Sequence, residues 1–583
     1  MHLCCFSRTS LRFIQHFSGH RVIVTQRPVC YTVPKRPQAC NQRRLYMDTN
    51  DILLYNGKIY LEKGRFAQAI RIRGGRVAAV GENTELLAGA EDAEKIDLAG
   101  KTVIPGLIDS HMHLFNVGRT LRAVRLHGAG SLAEVLDRCR AYLAENRPEP
   151  GSVIVGRGWN HDYFTDEHRM PNRHDLDKVT TDHALILTRA CGHALVCNTR
   201  ALEMAGVTAQ TPQPAGGAFE LDGDGRPNGI FKEHAMDLIQ RLITDPSFEE
   251  SRRILQAAMA HASAHGITSV QTNDMYEDNY QRVWNAYQSL VDDGLATVRA
   301  YQQCGFSTVE GYEKFLRDGF RTGFGSPMNR IGPLKLLSDG SLGARTALLR
   351  QDYSDKPGTR GILCVPPEQL DAFVSLSAQN GMQVAIHAIG DRAIELVLDA
   401  YEKAWPDGGN PRRSAIVHCQ ITDRPLLERF AHSHTAALVQ PIFLHYDMHI
   451  VEDRVGPALA ASSYAFGTMD RLGIHNSYGT DSPVEDLNTM ENLYCAVTRR
   501  DLTGWPDGGW QPEEAVDVAS AVDHYTVDSA WNSFEEDVKG RLLPGMYADL
   551  AVLSDDIFTI DPRAIKNVRV LMTMMDGRVV YRA

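Results

Sequence analysis

Near the start of the folded region the chain reads Asp109-Ser110-His111-Met112-His113. Residues two apart on a strand point to the same face, so on an extended segment His111 and His113 converge on one cation, as a divalent metal with imidazole ligands requires. The motif alone carries little weight, because 22 histidines in 583 positions produce about one His-x-His by chance. A second copy, His432-Ser433-His434, lies in a helical pattern and reads as a solvated surface pair.

The first copy differs in its company. Lys335 sits in a short apolar run, His387 and His418 each end one, and Asp481 follows another directly in Gly479-Thr480-Asp481-Ser482-Pro483. Taken singly, each reads equally well as a core or capping residue. Together they are polar groups at the ends of several strands, where a barrel of parallel strands gathers its chemistry. A lysine among metal ligands needs a reason, since an ammonium has no lone pair and repels a cation. Carboxylation by CO2 supplies one: the modified Lys335 would be an anionic two-oxygen bridge between two metal ions about 3.5–4 Å apart. The plainer reading pairs Lys335 with Asp339.

The elements that must position these residues alternate between short strand-like runs and helical stretches, which implies βα units and a parallel sheet. Eight runs qualify, at 107–111, 267–272, 296–302, 333–337, 384–387, 415–418, 437–440 and 478–480. Eight is the number that closes a (β/α)8 TIM barrel. Only the first gap is long, and it is expected to hold an inserted lobe at about 117–248. Inside it, Gly156-Arg157-Gly158-Trp159-Asn160-His161-Asp162 and Cys191-Gly192-His193-Ala194 read as polar loops. The two ends of the folded part resemble each other. Asn56-Gly57 and Asp576-Gly577 each lie between apolar strand residues, the hairpin signal. The expected organisation is a small β-sandwich domain built from 48–106 and 540–583, with the α/β barrel at 107–539.

The motifs resemble the metal-dependent amidohydrolase superfamily, and within it the amidohydrolase-3, or YtcJ-like, group that includes the N-substituted formamide deformylases. The resemblance is carried by 103–113 through the paired histidines, 335–343, Ile386-His387-Ala388-Ile389-Gly390-Asp391, Val417-His418-Cys419-Gln420, Gly479-Thr480-Asp481-Ser482-Pro483 and Leu543-Pro544-Gly545. It implies a barrel with a terminal β-sandwich and metal binding at His111, His113, Lys335, His387, His418 and Asp481. It also implies Trp159 and His193 of the lobe as substrate-side residues. The chain departs from the group's pattern at Val417, where Glu is frequent, and at Asn160, where Asp is frequent.

The expected activity is hydrolysis of a non-peptide, amide-type carbon–nitrogen bond of a small molecule by metal-activated water. One or two divalent ions, zinc first, serve it, and Asp481 acts as general base and then acid. A mononuclear deaminase on the same barrel is the alternative, and a non-catalytic metal-binding regulator is the reading from a different class. Ala99-Gly100-Lys101-Thr102 resembles the tail of a phosphate-binding loop, but Lys95 stands where that loop needs glycine, and no Gly-x-Ser-x-Gly nucleophile elbow occurs.

Composition bounds the rest. With 43% hydrophobic and 23% charged residues the chain is an ordinary globular protein, and a net charge of −11 disfavours nucleic-acid partners. No run approaches the ~18 apolar residues of a membrane span. Residues 1–46 carry eight Lys or Arg and no acid. They read either as a targeting segment, mitochondrial in type, or as sequence upstream of a start at Met47; without one, the cytoplasm is expected. The eleven cysteines show no CxxC spacing and read as reduced thiols. A homodimer is the default assembly.

Overall fold

The computed structural model describes residues 51–583 apart from 127, 162–163, 190–193, 215–216, 244 and 408; the side chains of 233 and 234 are likewise not described. The leader at 1–46 and His193 therefore lie outside the described residues.

Eight parallel strands form a single sheet in chain order: β1 (Leu107–Met112), β2 (Ile267–Tyr276), β3 (Arg299–Gly305), β4 (Asn329–Leu337), β5 (Val384–Ala388), β6 (Ala415–His418), β7 (Ala436–Val439) and β8 (Asn476–Tyr478). Helices follow β2 through β6, at Tyr280–Asp292, Val309–Arg317, Pro367–Gln379, Asp391–Ala404 and Arg424–Ser433. Covered by helices outside and by one another inside, the strands are buried almost throughout, which is why they read in sequence as apolar runs without alternation. The sheet is that of a TIM barrel.

Val527–Asn532 closes the floor with polar contacts that are mutually satisfied. Gln271 Nε2 donates to Ser529 O (2.8 Å), Asn532 Nδ2 to Gln271 Oε1 (2.7 Å) and Gln383 Nε2 to Asn532 O (2.9 Å). Burying these amides costs little because each finds a partner.

The chain ends form two further sheets. One contains Asp51–Tyr55, Ala69–Arg73, Arg76–Gly81 and Glu94–Asp97; the other joins Lys58–Glu62, Arg65–Ala67 and Thr102–Pro105 to the late strands Leu550–Leu553, Val570–Met575 and Arg578–Arg582. Alternation along the strands divides their duties. Ile59, Leu61, Val103, Leu550 and Val552 pack into the core between the sheets, whereas Tyr60, Ile104, Ala551 and Leu553 belong to the barrel's core.

One expected hairpin is corrected. Asp576-Gly577 does link paired antiparallel strands, and both residues have positive φ (54° and 71°), as a type I′ turn demands. At Asn56-Gly57 only Asn56 is left-handed (φ 57°), so that turn geometry is not available. The chain instead passes from one sheet to the other, where a Cβ on Gly57 would stand 2.4 Å from Leu98 Cδ1.

Between β1 and β2 lies a six-stranded mixed sheet running from Val124–Arg125 to Pro227–Glu233. The Gly-rich stretch expected as a loop is mostly strand, Val153–Trp159, with a register shift between Arg157 and Trp159. Gly156 is needed there because a Cβ would approach Leu187 Cδ2 to 2.7 Å. Among the described residues no helix is long and apolar enough to cross a membrane.

The terminal sheets are tied to the barrel through Arg299, the first residue of β3. Its guanidinium bonds Asp549 (2.8 and 3.2 Å) and Asp576 (3.1 Å) and lies 3.9 Å from the centroid of the Tyr547 ring, with Arg299 and Asp549 side chains 3% and 5% exposed. Truncating one partner leaves the other charge buried. Asp549→Ala is expected to destabilise the protein by about 3–5 kcal/mol in urea unfolding; a loss under ~1 kcal/mol would show the pair to be dispensable.

Candidate metal centre

The first and last strands meet at the mouth of the barrel. Asp481 N–H donates to His111 O (2.8 Å) and His113 N–H to Ser482 O (2.8 Å). Beneath them the buried Asp109 carboxylate accepts from Thr480 N–H (3.2 Å), Thr480 Oγ1 (2.6 Å) and His111 N–H (3.2 Å). Gly479 allows this approach, since a Cβ there would lie 2.7 Å from His111 N and 2.9 Å from His111 O, both backbone atoms that cannot swing aside.

This seam sets the geometry of the centre. Asp481 Oδ1 lies 3.3 Å from His111 Nε2 and 3.3 Å from His113 Nε2, and ligand atoms of the three residues all fall within 4.8 Å of one another. The rings continue around the mouth: centroids are 5.4 Å apart for His111 and His113, 5.6 Å for His111 and His418, and 4.5 Å for His418 and His387.

The outer nitrogen of each ring decides what the inner one can do. His113 Nδ1 faces Asn273 O at 2.9 Å, and a carbonyl can only accept, so the proton is on Nδ1. His111 Nδ1 faces Gln303 Oε1 (2.7 Å), and that amide is oriented by Gln303 Nε2 donating to Ser110 O (3.1 Å). Gln440 does the same for His418, accepting at 2.7 Å while its Nε2 donates to Leu438 O (3.2 Å). His387 is reversed, its Nε2 facing Gly340 O at 3.0 Å, which leaves Nδ1 as the lone-pair atom. Such outer partners are what fix a metal-ligating histidine.

The electrostatics call for positive charge at this point. Burial pushes His111 down to about 4 and His418 well below the ordinary imidazole value, so both are neutral near pH 7. Burial works to raise Asp481, but the histidines beside it hold it well below the usual carboxylate range. Burial alone would lower His113, yet the Asp481 carboxylate outweighs it and raises the group. Among the described residues no hydrogen-bond donor is assigned to the buried Asp481 Oδ1. Two nitrogen lone pairs and a carboxylate oxygen that converge in this way fit a divalent cation.

Lys335, on β4, is 3% exposed, and burial pushes it down to about 8 against the pull of Asp481. Among the described residues its ammonium finds only a long contact to Leu336 O (3.4 Å). Asp339, the partner a purely structural lysine would need, accepts instead from the backbone N–H groups of Leu348 (2.8 Å), Ile389 (3.1 Å) and Gly390 (2.9 Å).

Other expectations fare differently. Trp159 is fully buried in the lobe's core, with Nε1 donating to Leu187 O (3.0 Å), so its indole packs the lobe rather than lining an open surface. Asn160 Oδ1 accepts from Arg189 (2.7 Å). Val417 packs with Ala385, Ala415, Ala436 and Leu438 in a small apolar cluster, a poor place for the carboxylate common in the group. By strand alternation His418 would then face away from that cluster; positive φ at His418 (82°) and Cys419 (49°) accompanies its turn toward His387. His432 and His434 are exposed at the end of Arg424–Ser433, as a surface pair. Sequence reading missed Asn273, Gln303 and Gln440; Gln303 and Gln440 carried the signal of an amide near or just beyond a strand's C-terminal end, whereas Asn273 acts through its backbone carbonyl and carried none. Gln303→Leu should lower metal affinity about 10–100-fold in chelator competition, with little change in folding; an unchanged affinity would remove Gln303 from that role.

Residues 94–581 match the model of the amidohydrolase family. The chain is 31% identical over 532 residues to the protein YtcJ of Bacillus subtilis (strain 168), covering 90% of this chain and 98% of that one. It is 28% identical over 563 residues to an N-substituted formamide deformylase of Arthrobacter pascens, covering 91% and 98%. In three dimensions it is similar to an uncharacterised metal-dependent hydrolase from Pyrococcus furiosus, with a TM-score of 0.73 at 28% identity over 87% of this chain and all of that one. With a barrel of eight parallel strands and a histidine–carboxylate cluster at its mouth, the chain belongs to the amidohydrolase family and is a metal-dependent hydrolase.

Proposed function

We propose that the protein hydrolyses an amide-type carbon–nitrogen bond of a small molecule, with His111, His113, Lys335, His387, His418 and Asp481 around one or two divalent ions, zinc first. The observation that carries this reading is the convergence of His111 Nε2, His113 Nε2 and Asp481 Oδ1, with a buried, weakly bonded lysine on the same rim. When bound, a divalent cation supplies a water acidic enough to lose a proton near neutrality and a Lewis acid toward the scissile carbonyl.

The chain's own residues do the rest. Asp481 takes the water's proton on Oδ2, the oxygen not turned to the histidines, and returns it to the leaving nitrogen, which must be protonated before the bond breaks. The outer partners of His111 and His418 leave the inner nitrogens of these neutral rings free to hold the cation, whereas at His113 the cation would displace the proton that Asp481 favours. With its value pushed down to about 8, Lys335 has a usable fraction of neutral amine near pH 7. The Nζ lone pair attacks CO2, a nitrogen–carbon bond forms, and one proton is released to leave an anionic carbamate. The carbamate would be an anionic oxygen donor able to hold a cation that the ammonium form would repel.

A mononuclear reading is favoured by one observation: among the described residues the compact three-residue set is His111, His113 and Asp481, enough for one ion. Metal counting separates the two. Purified with bicarbonate and without chelators, the protein should carry about two ions, falling to about one in Lys335→Ala; one ion in both would demote the lysine and support the mononuclear deaminase. Asp481→Asn is expected to keep most of its metal yet lose amide turnover by about 10²–10⁴-fold, and retained turnover would take the base role from Asp481.

A further inference from the structure

A cavity of about 1000 Å³ opens beside the centre and reaches both Lys335 and Asn273, whose carbonyl holds His113. Its aromatic side is formed in advance. Tyr276, the last residue of β2, is 36% exposed, and its hydroxyl is held at Asn273 O (3.1 Å) and Asn273 Oδ1 (3.2 Å). The ring can lie against β3 because residue 305 is glycine: a Cβ there would stand 2.8 Å from Tyr276 Cδ1. Phe306 and Phe373 also line the cavity, both largely buried.

The lining carries four acids, Asp245, Asp274, Glu277 and Asp278, against three cations, Arg119, Arg282 and Lys335. Arg119 and Arg282 both turn to Asp245, at 3.6 and 2.7 Å. The Glu277 carboxylate accepts from Ser307 Oγ (2.9 Å) and Thr308 Oγ1 (2.6 Å), and Asp278 adds a further exposed acid. The remaining lining cation is Lys335, which becomes an anion if it takes up CO2. A carboxylate entering this cavity would give up its hydration beside cations that are already engaged and outnumbered by acids. An apolar arm would instead remove its surface from water against rings with fixed faces.

We infer that the substrate's non-reacting arm is uncharged and aromatic, and that Asp245, by engaging both Arg119 and Arg282, sets discrimination against carboxylate-bearing substrates. The bond that is cut rests on the hydrolase reading above; the arm that is bound rests on the cavity.

Three hydroxamates test this by calorimetry on the metal-loaded full chain, because they share one metal-directed head and differ only in the arm. Relative to acetohydroxamic acid, phenylacetohydroxamic acid should bind about tenfold tighter, and its 4-carboxy derivative should lose at least that gain. Asp245→Asn should narrow the gap between the two arms by about threefold or more, because it releases two arginines. Tyr276→Ala should remove the phenyl gain, read as the ratio of phenylacetohydroxamic to acetohydroxamic acid affinity within that variant. Equal or tighter binding of the carboxylated arm, or a phenyl arm that adds nothing, would overturn the inference. Turnover of the matching amides is measured separately. If none is cleaved while the arm preference stands, the amide reading fails and the arm inference survives; cleavage that favours the carboxylated arm has the opposite meaning.

Discussion

The centre depends on how closely the first and last strands of the barrel can approach. Residues 109–113 and 479–482 are separated by most of the chain, yet the Asp109 carboxylate, the His111 carbonyl and the His113 amide together bind Thr480, Asp481 and Ser482. A sheet that stayed open here would leave two histidines and one carboxylate on opposite edges. Gly479 is the local requirement, because any side chain would strike the β1 backbone. Asp109 shows the electrostatic side of the constraint. Burial pushes its carboxyl up to about 7, and the Thr480 hydroxyl and the N–H groups of Thr480 and His111 act against that shift. The seam and the candidate metal ligands therefore share residues, so closure of the barrel and assembly of the centre are one event.

Around the seam, hydrogen bonds do for the histidines what packing does for an apolar core. A neutral imidazole offers one donor and one acceptor, and a fixed carbonyl on the outside settles which nitrogen is which. Three of the rings present Nε2 inward, and His387 presents Nδ1, because its outer partner is the Gly340 carbonyl. Left-handed backbone at His418, Cys419 and Asp481 is a local cost at the same rim. It is tolerated where the surrounding strands leave no alternative, and it turns side chains that simple alternation would aim elsewhere.

The two ends of the barrel have separate duties. The N-terminal end is closed by the Gln271–Asn532–Gln383 network and by Arg299 clamped to Asp549, contacts that serve stability. The C-terminal end holds the charged cluster and the cavity. This division follows from parallel strands, whose C-terminal ends all open on one side, where loops can vary without disturbing the floor. The lobe between β1 and β2 has its own core, in which Trp159 is fully buried.

Much of this was readable from residues alone. Eight apolar runs of strand length, separated by helical patterns, specify parallel strands buried on both faces, and the histidine pair two apart specifies a shared face. His387, His418 and Asp481 were legible because each ends or follows such a run. The outer partners were not, since Gln303 and Gln440 are ordinary amides until the strand beside them is known. Neither was the fate of Asn56-Gly57, where a turn dipeptide joins two sheets, nor the burial of Trp159 in a strand that reads as a Gly-rich loop. Periodicity and residue type record which faces are hidden from water, a local property carried by every window of the sequence. Which donor meets which acceptor, and which ring nitrogen faces the centre, depends on strand ends brought together across hundreds of residues, and only the closed barrel decides it.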